Sequence, residues 1–213
     1  MSHEAPGATS AIDAVVFDIG GVLIDYDPRY LYSRLIDDRD EMEHFLAEVC
    51  TAEWNHQQDL GRSFADGIAE RIALFPDKAD LIRAWDSRWQ EMVPGPIEGT
   101  VAILEALRAS GMPTFAITNF SREKFAEAQE RFAFLTHFRD VVVSAHEHLA
   151  KPDPAIYHVA LERFGIDPAR AVFIDDMPAN VETAKTLGFN ALRFTGPQAF
   201  RNDLAALGVP TPA

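Results

Sequence analysis

The sequence predicts an α/β protein, a doubly wound, Rossmann-like parallel sheet with an α-helical cap inserted after the first strand. Short apolar runs alternate with segments of helical periodicity over the second half of the chain, a pattern typical of strands buried between helices. Three of these runs end in polar residues, namely Asp18, Thr118-Asn119 and Asp175-Asp176. Ligands bind at the carboxyl ends of such strands, so we expect these side chains to meet at one edge.

The first strand is predicted at Ala14–Phe17 and is followed at once by a stretch of different character. Residues 28–93 show aliphatic and aromatic side chains at helical spacing and no strand pattern, which predicts three to five short helices. Pro94-Gly-Pro96 then ends this stretch. We interpret it as a cap lying over the active-site edge. The expected domains are residues 1–26 and 94–213 for the core and residues 27–93 for the cap.

The remaining elements alternate regularly, and several predicted helices stop at a glycine suited to a helix C-terminus. Right-handed crossovers would connect the strands. The predicted helices are 98–109, 121–134, 154–164, 178–187 and 197–207, and the predicted strands are 113–118, 141–143, 171–175 and 191–194.

Composition and charge limit the classes of partner. The chain has 213 residues, 47% of them hydrophobic and 24% charged, as in an ordinary globular enzyme. Its net charge of −14 argues against nucleic acid or an anionic membrane surface as a partner. A small anionic substrate is compatible only if local cations attract it. The sequence leaves the oligomeric state open.

Cysteine use and hydropathy predict a cytoplasmic protein. Cys50 is the only cysteine, so an internal disulfide is impossible and a reducing compartment is expected. No apolar stretch reaches the ~20 residues of a membrane span. Residues 1–10 are polar and lack the basic-then-apolar pattern of a secretory leader.

The polar strand ends suggest metal-assisted phosphoryl chemistry. Asp18, Asp175 and Asp176 cannot all stay ionised close together without a cation, and hard oxygen ligands suit Mg²⁺. Thr118 and Asn119 could bind phosphate oxygens together with free main-chain N–H groups at the start of the next helix. Lys151, in a loop stiffened by two prolines, would neutralise both the nucleophile and the phosphate.

Four motifs in this order resemble those of the haloacid dehalogenase (HAD) superfamily, most closely its phosphatase-like members with a helical cap after the first strand. The resemblance covers roughly residues 12–200, and the four motifs together are far more specific than any one of them. They are Asp18-Ile-Gly-Gly-Val-Leu, Ile117-Thr-Asn119, Lys151-Pro-Asp-Pro and Phe173-Ile-Asp-Asp-Met-Pro-Ala-Asn180.

The resemblance implies a role for each motif residue. Asp18 would be the nucleophile that forms an aspartyl-phosphate, while Thr118 and Lys151 hold the phosphate. Mg²⁺ would bind Asp18, Asp176 and the main-chain carbonyl of Gly20, with Asp175 nearby. Asn180 would orient the metal-binding loop.

Gly20 is a departure from the family pattern. Phosphatases of the family usually carry a second aspartate at this position, which protonates the leaving oxygen, and such general acid catalysis typically contributes 10²–10⁴-fold. A substitute donor could come from solvent or from the cap, where His56 is one candidate. Gln57 and Arg62, in the same polar stretch, are candidate substrate contacts.

Two alternatives to the phosphatase stay open. Family dehalogenases release a halide, which needs no proton, but they work without metal and typically lack the acidic pair seen here as Asp175-Asp176. The chain could also be a non-catalytic, phosphate-binding regulatory protein. The acidic pair favours a Mg²⁺-dependent hydrolase of a small, sugar-phosphate-like phosphomonoester.

Overall fold

The computed structural model describes residues 11–209 and residue 211, and it contains a five-stranded parallel sheet. The strands are β1 (Ala14–Phe17), β2 (Thr114–Thr118), β3 (Asp140–Val143), β4 (Ala171–Asp175) and β5 (Asn190–Arg193). They follow the spatial order β3-β2-β1-β4-β5, so the chain builds outward on one side of β1 and then returns to the other. This confirms the doubly wound α/β class.

Both faces of the central strand are buried, and its side chains alternate between two hydrophobic clusters. Val15 and Phe17 of β1 belong to one cluster, whereas Ala14 and Val16 belong to the other, as the two-residue period of a strand requires. The first cluster includes residues of the helices Glu98–Ala109 and Pro197–Ala206, and the second includes residues of the helices Pro154–Phe164 and Pro178–Thr186. The core helices are α6 (Glu98–Ala109), α7 (Arg122–Arg131), α8 (Ser144–Glu147), α9 (Pro154–Phe164), α10 (Pro178–Thr186) and α11 (Pro197–Ala206).

The stretch between β1 and α6 is helical, as its spacing predicts. Its tight packing depends on aromatic rings: Trp54 meets Trp85 edge-on at 5.6 Å between ring centroids, and Tyr32 lies 4.9 Å from Phe45. We refer to residues 29–92 as the helical insert. It comprises α1 (Arg29–Tyr32), α2 (Arg39–His44), a π-helical turn (Phe45–Val49), α3 (Ala52–Asp59), α4 (Phe64–Leu74), α5 (Ala79–Ser87) and two 3₁₀ turns (Pro76–Lys78 and Trp89–Met92).

The two connections of the helical insert run side by side. The main-chain N–H of Asp25 donates to the carbonyl of Gly95 at 3.0 Å, and that of Ile97 donates to the carbonyl of Leu23 at 2.8 Å. The chain therefore leaves the core and re-enters it at the same place.

Two predicted elements differ from the structure. The helix predicted at 121–134 ends at Arg131, because Phe132 adopts an extended conformation (φ −120°, ψ 91°) before a 3₁₀ turn. The stretch between the predicted strand 141–143 and the predicted helix 154–164 contains an additional short helix, α8, which ends where His148 takes a left-handed conformation (φ 56°). Among the described residues, every helix is too short or too polar to cross a bilayer. Residues 1–10, on which the leader prediction rests, lie outside the described part.

Candidate active site

The polar ends of β1 and β4 meet around a single buried ammonium group. Nζ of Lys151 lies 2.8 Å from Oδ1 of Asp18 and 2.7 Å from Oδ2 of Asp175. In the register of β1 against β4, Phe17 lies opposite Ile174, so the two strands end side by side. The main-chain N–H of Asp18 donates to the carbonyl of Ile174 and extends this pairing by one residue. The Lys151 side chain is only 1% exposed, so this ion pair is shielded from water.

Asp175 has hydrogen-bond donors on both carboxylate oxygens. Besides Lys151, it accepts from the N–H of Met177 at 2.8 Å and from Nδ2 of Asn180 at 2.9 and 3.0 Å. Asn180 is itself held by the Tyr157 hydroxyl, which donates to its carbonyl at 3.0 Å. Asp175 thus anchors both Lys151 and the start of α10.

Asp176 completes a cluster of three carboxylates. One oxygen each from Asp18, Asp175 and Asp176 lies within 4.8 Å of the other two. Gly21 makes room for this arrangement: its φ is +72°, and a Cβ built there would lie 2.7 Å from Oδ2 of Asp176. Sequence reasoning missed this contact, for which the double glycine of the first motif was the available signal.

The charges in the cluster are unbalanced within the described residues. Burial raises the pKa of Asp18 to about 8, with the charge of Asp175 adding to the effect and Lys151 opposing it. Burial and the neighbouring Asp175 also raise the pKa of Asp176. Burial disfavours the charged form of Lys151, but Asp18 and Asp175 outweigh it, so its pKa is raised. Three carboxylates facing one ammonium leave room for a divalent cation.

Thr118 carries a buried hydroxyl that has no partner. It ends β2 and is fully buried, yet Oγ1 makes no hydrogen bond within the described residues. Buried polar atoms are nearly always hydrogen-bonded, because leaving one unpaired costs about 1–3 kcal/mol. An unpaired hydroxyl at the carboxyl end of this sheet is therefore suited to a ligand.

Asn119 uses its side chain to position the Lys151 loop. Its Nδ2 donates to the carbonyl of Lys151 and its Oδ1 accepts the N–H of Lys151, both at 2.8 Å. The main-chain N–H of Asn119 makes no hydrogen bond within the described residues. The next N–H, of Phe120, donates to Oγ of Ser144 at 2.9 Å, so the expectation of several free N–H groups here is wrong at Phe120.

Two cavities lie next to each other at this edge, and Gly20, Tyr26 and Asn119 line both. The carboxylate cavity, of about 240 Å³, is lined by the predicted site residues Asp18, Lys151, Asp176 and Asn180. The aromatic cavity, of about 90 Å³, is lined by Ile24, Asn55, Asp59, Phe64, Trp89 and Phe120, among others.

The helical insert reaches the aromatic cavity through residues that sequence reasoning missed. Asn55 and Asp59 lie four apart on α3 and therefore share a face, which was the available signal. The predicted contacts Gln57 and Arg62 are absent from the lining of both cavities. Arg62 instead bonds within the insert, to Gln58 at 2.7 Å among others, and His56 is likewise absent from the lining.

The end of α3 is fastened to the core by hydrogen bonds. Oγ of Ser144 donates to the carbonyl of Asp59 at 2.6 Å, and Nδ1 of His148 lies 2.8 Å from the carbonyl of Leu60. Gly61, at φ +103°, passes so close to His148 that a Cβ there would lie 2.6 Å from the ring. These contacts determine where Asp59 lies relative to β1 and β2.

Comparison with known proteins agrees with this geometry. The family model of haloacid dehalogenase-like hydrolases matches residues 12–188. An N-acetylmuramic acid 6-phosphate phosphatase of Pseudomonas aeruginosa is 27% identical over 182 residues, covering 83% of this chain and 79% of that protein. Acyl-CoA dehydrogenase family member 10 of Mus musculus is 32% identical over 108 residues, which cover 49% of this chain and only 10% of that much longer protein.

The fold also has close counterparts among solved structures. A HAD family enzyme from Bacteroides thetaiotaomicron, solved in complex with magnesium and inorganic phosphate, superposes with a TM-score of 0.68 at 22% identity, covering 87% of this chain and 96% of that one. The matching family model spans most of the sequence, and the four motifs lie at one edge of the matching fold. The chain therefore belongs to the haloacid dehalogenase-like hydrolases, an enzyme family in which its relatives include phosphatases.

Proposed function

We propose that this protein is a Mg²⁺-dependent hydrolase of a small phosphomonoester that acts through an aspartyl-phosphate on Asp18. The observation that carries the proposal is the cluster of three carboxylates around Lys151. Oδ1 of Asp18 is bonded to Lys151 and to the N–H of Ile19, whereas Oδ2 accepts no hydrogen bond within the described residues. A carboxylate held by one oxygen and free at the other is suited to attack phosphorus.

The cluster is suited to Mg²⁺ in number and type of ligands. Asp18, Asp176 and the main-chain carbonyl of Gly20 would hold the ion, with Asp175, already bonded to Lys151 and Asn180, beside them. Bound Mg²⁺ would neutralise the charge of the phosphoryl group. The space that Gly21 leaves for Asp176 supports this assignment.

Three groups of the chain would bind the phosphoryl oxygens. The unpaired hydroxyl of Thr118 and the free N–H of Asn119 lie at the end of β2, and Lys151 adds a positive charge. Their combined effect would be to hold phosphorus against Asp18 and to stabilise the charge of the transition state.

Residues 27–93 would act as a cap that selects the alcohol part of the ester. The aromatic cavity next to the carboxylate cavity supports this role, because the insert supplies several of its walls. The relative that hydrolyses N-acetylmuramic acid 6-phosphate supports a sugar-phosphate-like substrate. We propose a cytoplasmic location on the basis of the single cysteine.

Hydrolysis of p-nitrophenyl phosphate with Mg²⁺ and with EDTA tests the proposal. We expect release of phosphate that needs the metal and is abolished in Asp18→Asn, a variant that keeps the size of the side chain. Far-UV circular dichroism of the variant checks that the fold is retained. Metal-dependent turnover retained by Asp18→Asn would refute the nucleophile assignment.

The absence of an acid side chain at Gly20 favours one other function, a 2-haloacid dehalogenase using the same Asp18. That enzyme would release chloride from 2-chloropropionate in the presence of EDTA. A non-catalytic binding protein would instead show a higher melting temperature with Mg²⁺ and phosphate but no turnover of either substrate.

A further inference from the structure

A phosphatase with Gly20 lacks a proton donor beside its nucleophile. A Cβ built on Gly20 would meet nothing within 4 Å, so the space that a side chain would occupy is open. Gly20, Tyr26 and Asn119 line both cavities, so the open space at Gly20 borders the carboxylate cavity and also the aromatic cavity. Among the residues that line this cavity, Asp59 carries the only carboxyl group.

We propose that Asp59 of the helical insert donates a proton to the leaving-group oxygen. It would thereby replace the acid side chain that Gly20 lacks. The inference rests on the proposed function, because it assigns the acid of that reaction. Gly20 and Asp59 both line the aromatic cavity, so a leaving group that fills it lies against both residues.

The Asp59 carboxyl is oriented by its neighbours. The indole N–H of Trp85 donates to Oδ1 of Asn55 at 3.0 Å, which turns the amide so that Nδ2 of Asn55 faces Oδ2 of Asp59 at 3.4 Å. The main chain beside Asp59 is fastened to the core by Ser144 and His148. An acid on the insert is thereby held in a fixed position relative to a nucleophile on β1, as general acid catalysis requires.

The protonation state of Asp59 suits an acid at neutral pH. Burial raises its pKa to about 7, although the main-chain N–H of Ser121 partly opposes this. Tyr26 and Lys124 face the same cavity, and His148 and Glu123 contact the main chain that follows Asp59, at Leu60 and Phe64.

The ammonium group of Lys124 is paired with two carboxylates other than Asp59. Its Nζ lies 2.6 Å from Oδ1 of Asp86 and 2.6 Å from Oε1 of Glu127. The pKa of the Tyr26 phenol is raised by burial and by Asp59, so it stays neutral and serves as a wall of the cavity.

The two half-reactions balance with Asp59 as the proton carrier. In the first, the bond from Asp18 to phosphorus forms as the ester P–O bond breaks, and the Asp59 proton moves to the departing alkoxide, giving an alcohol and an Asp59 carboxylate. In the second, water attacks the aspartyl-phosphate and releases Asp18 and phosphate, while Asp59 takes up the proton of the water.

The walls of the aromatic cavity indicate the class of leaving group. Phe64, Trp89 and Phe120 are buried aromatic residues that line it. These rings suit an alcohol whose carbon skeleton packs against them and whose ester oxygen is directed towards Asp59.

The experiment compares three esters of similar size whose leaving groups differ in basicity: p-nitrophenyl, phenyl and benzyl phosphate. The isosteric Asp59→Asn variant should lower kcat about 10²–10⁴-fold for benzyl phosphate, whose alkoxide needs a proton. The loss should be less than about fivefold for p-nitrophenyl phosphate, whose anion leaves unprotonated. Asp77→Asn, an exposed carboxylate of the same insert, is the matched control.

A second variant tests the position of the acid. Gly20→Asp restores a carboxyl in open space and, in the Asp59→Asn background, should recover at least tenfold in kcat for benzyl phosphate. With benzyl phosphate the wild type should lose activity as the pH rises through about 7, where Asp59 deprotonates, and Asp59→Asn should not show this decline.

The outcomes separate this inference from the proposed function. An equal loss on all three esters in Asp59→Asn would refute the proton-donor role and indicate a structural one, while wild-type turnover would still support the phosphatase. If the wild type hydrolyses none of the three esters in the presence of Mg²⁺, the proposed function and the role of Asp59 are both overturned.

Discussion

Replacing Lys151 by methionine should destabilise the metal-free protein sharply. The substitution keeps the length and apolar part of the side chain but removes the charge that lies 2.8 Å from Asp18 and 2.7 Å from Asp175. Both carboxylates are buried, and removing one partner of a buried ion pair costs about 3–5 kcal/mol. In a domain of this size, where 1 kcal/mol corresponds to about 2–4 °C, the melting temperature should fall by roughly 6–20 °C.

The assay is urea and thermal denaturation in EDTA, followed by a Mg²⁺ titration. Lys185→Met, an exposed lysine on α10, is the control and should change the free energy of unfolding by less than about 0.5 kcal/mol. Mg²⁺ should recover part of the stability of Lys151→Met, because a cation can again neutralise the carboxylates. If Lys151→Met unfolds within 0.5 kcal/mol of the wild type, the buried ion pair does not exist in solution and the reasoning is wrong.

Two further predictions concern the phosphate and metal ligands. Thr118→Val removes an unpaired buried hydroxyl, so it should leave the free energy of unfolding unchanged or raise it by about 1 kcal/mol, yet weaken inorganic phosphate binding tenfold or more in calorimetry. Lower stability with unchanged phosphate affinity would remove Thr118 from the site. Gly21→Ala introduces a left-handed alanine, costing about 1–2 kcal/mol, and a Cβ 2.7 Å from Oδ2 of Asp176, so Mg²⁺ should raise its melting temperature less than that of the wild type. Gly20→Ala is the control, because a Cβ there meets nothing within 4 Å. If urea denaturation gives the two variants the same free energy of unfolding, the contact with Asp176 is contradicted.

The residues at the strand ends could be predicted from the sequence because each depends on a local rule. A buried parallel strand brings its last residue to the shared edge, so Asp18, Thr118 and Asp175 needed only the identification of three apolar runs. Lys151 and its pairing with the nucleophile Asp18 could be predicted from the motif of its loop, whereas its second partner, Asp175, could not, since that contact depends on the neighbouring strand.

The contribution of the helical insert could not be predicted, because it depends on contacts between distant parts of the chain. Ser144 and Asp59 are 85 residues apart, and no spacing in the sequence indicates that they bond. Arg62 is the more polar candidate and was predicted to contact substrate, but Gln58 and Glu70 lie within reach of it on α3 and α4. The Arg62 guanidinium is therefore engaged within the insert, and Asp59, which the sequence did not single out, lines the cavity instead.

The paired connections of the helical insert make the molecule modular. Main-chain hydrogen bonds join Asp25 to Gly95 and Ile97 to Leu23, and such bonds do not depend on the identity of the side chains. The insert is thus a loop whose two ends touch, so its attachment to the sheet does not depend on its length. Insertions of other lengths could be accommodated at the same point, so the core can keep its chemistry while the insert changes the choice of substrate.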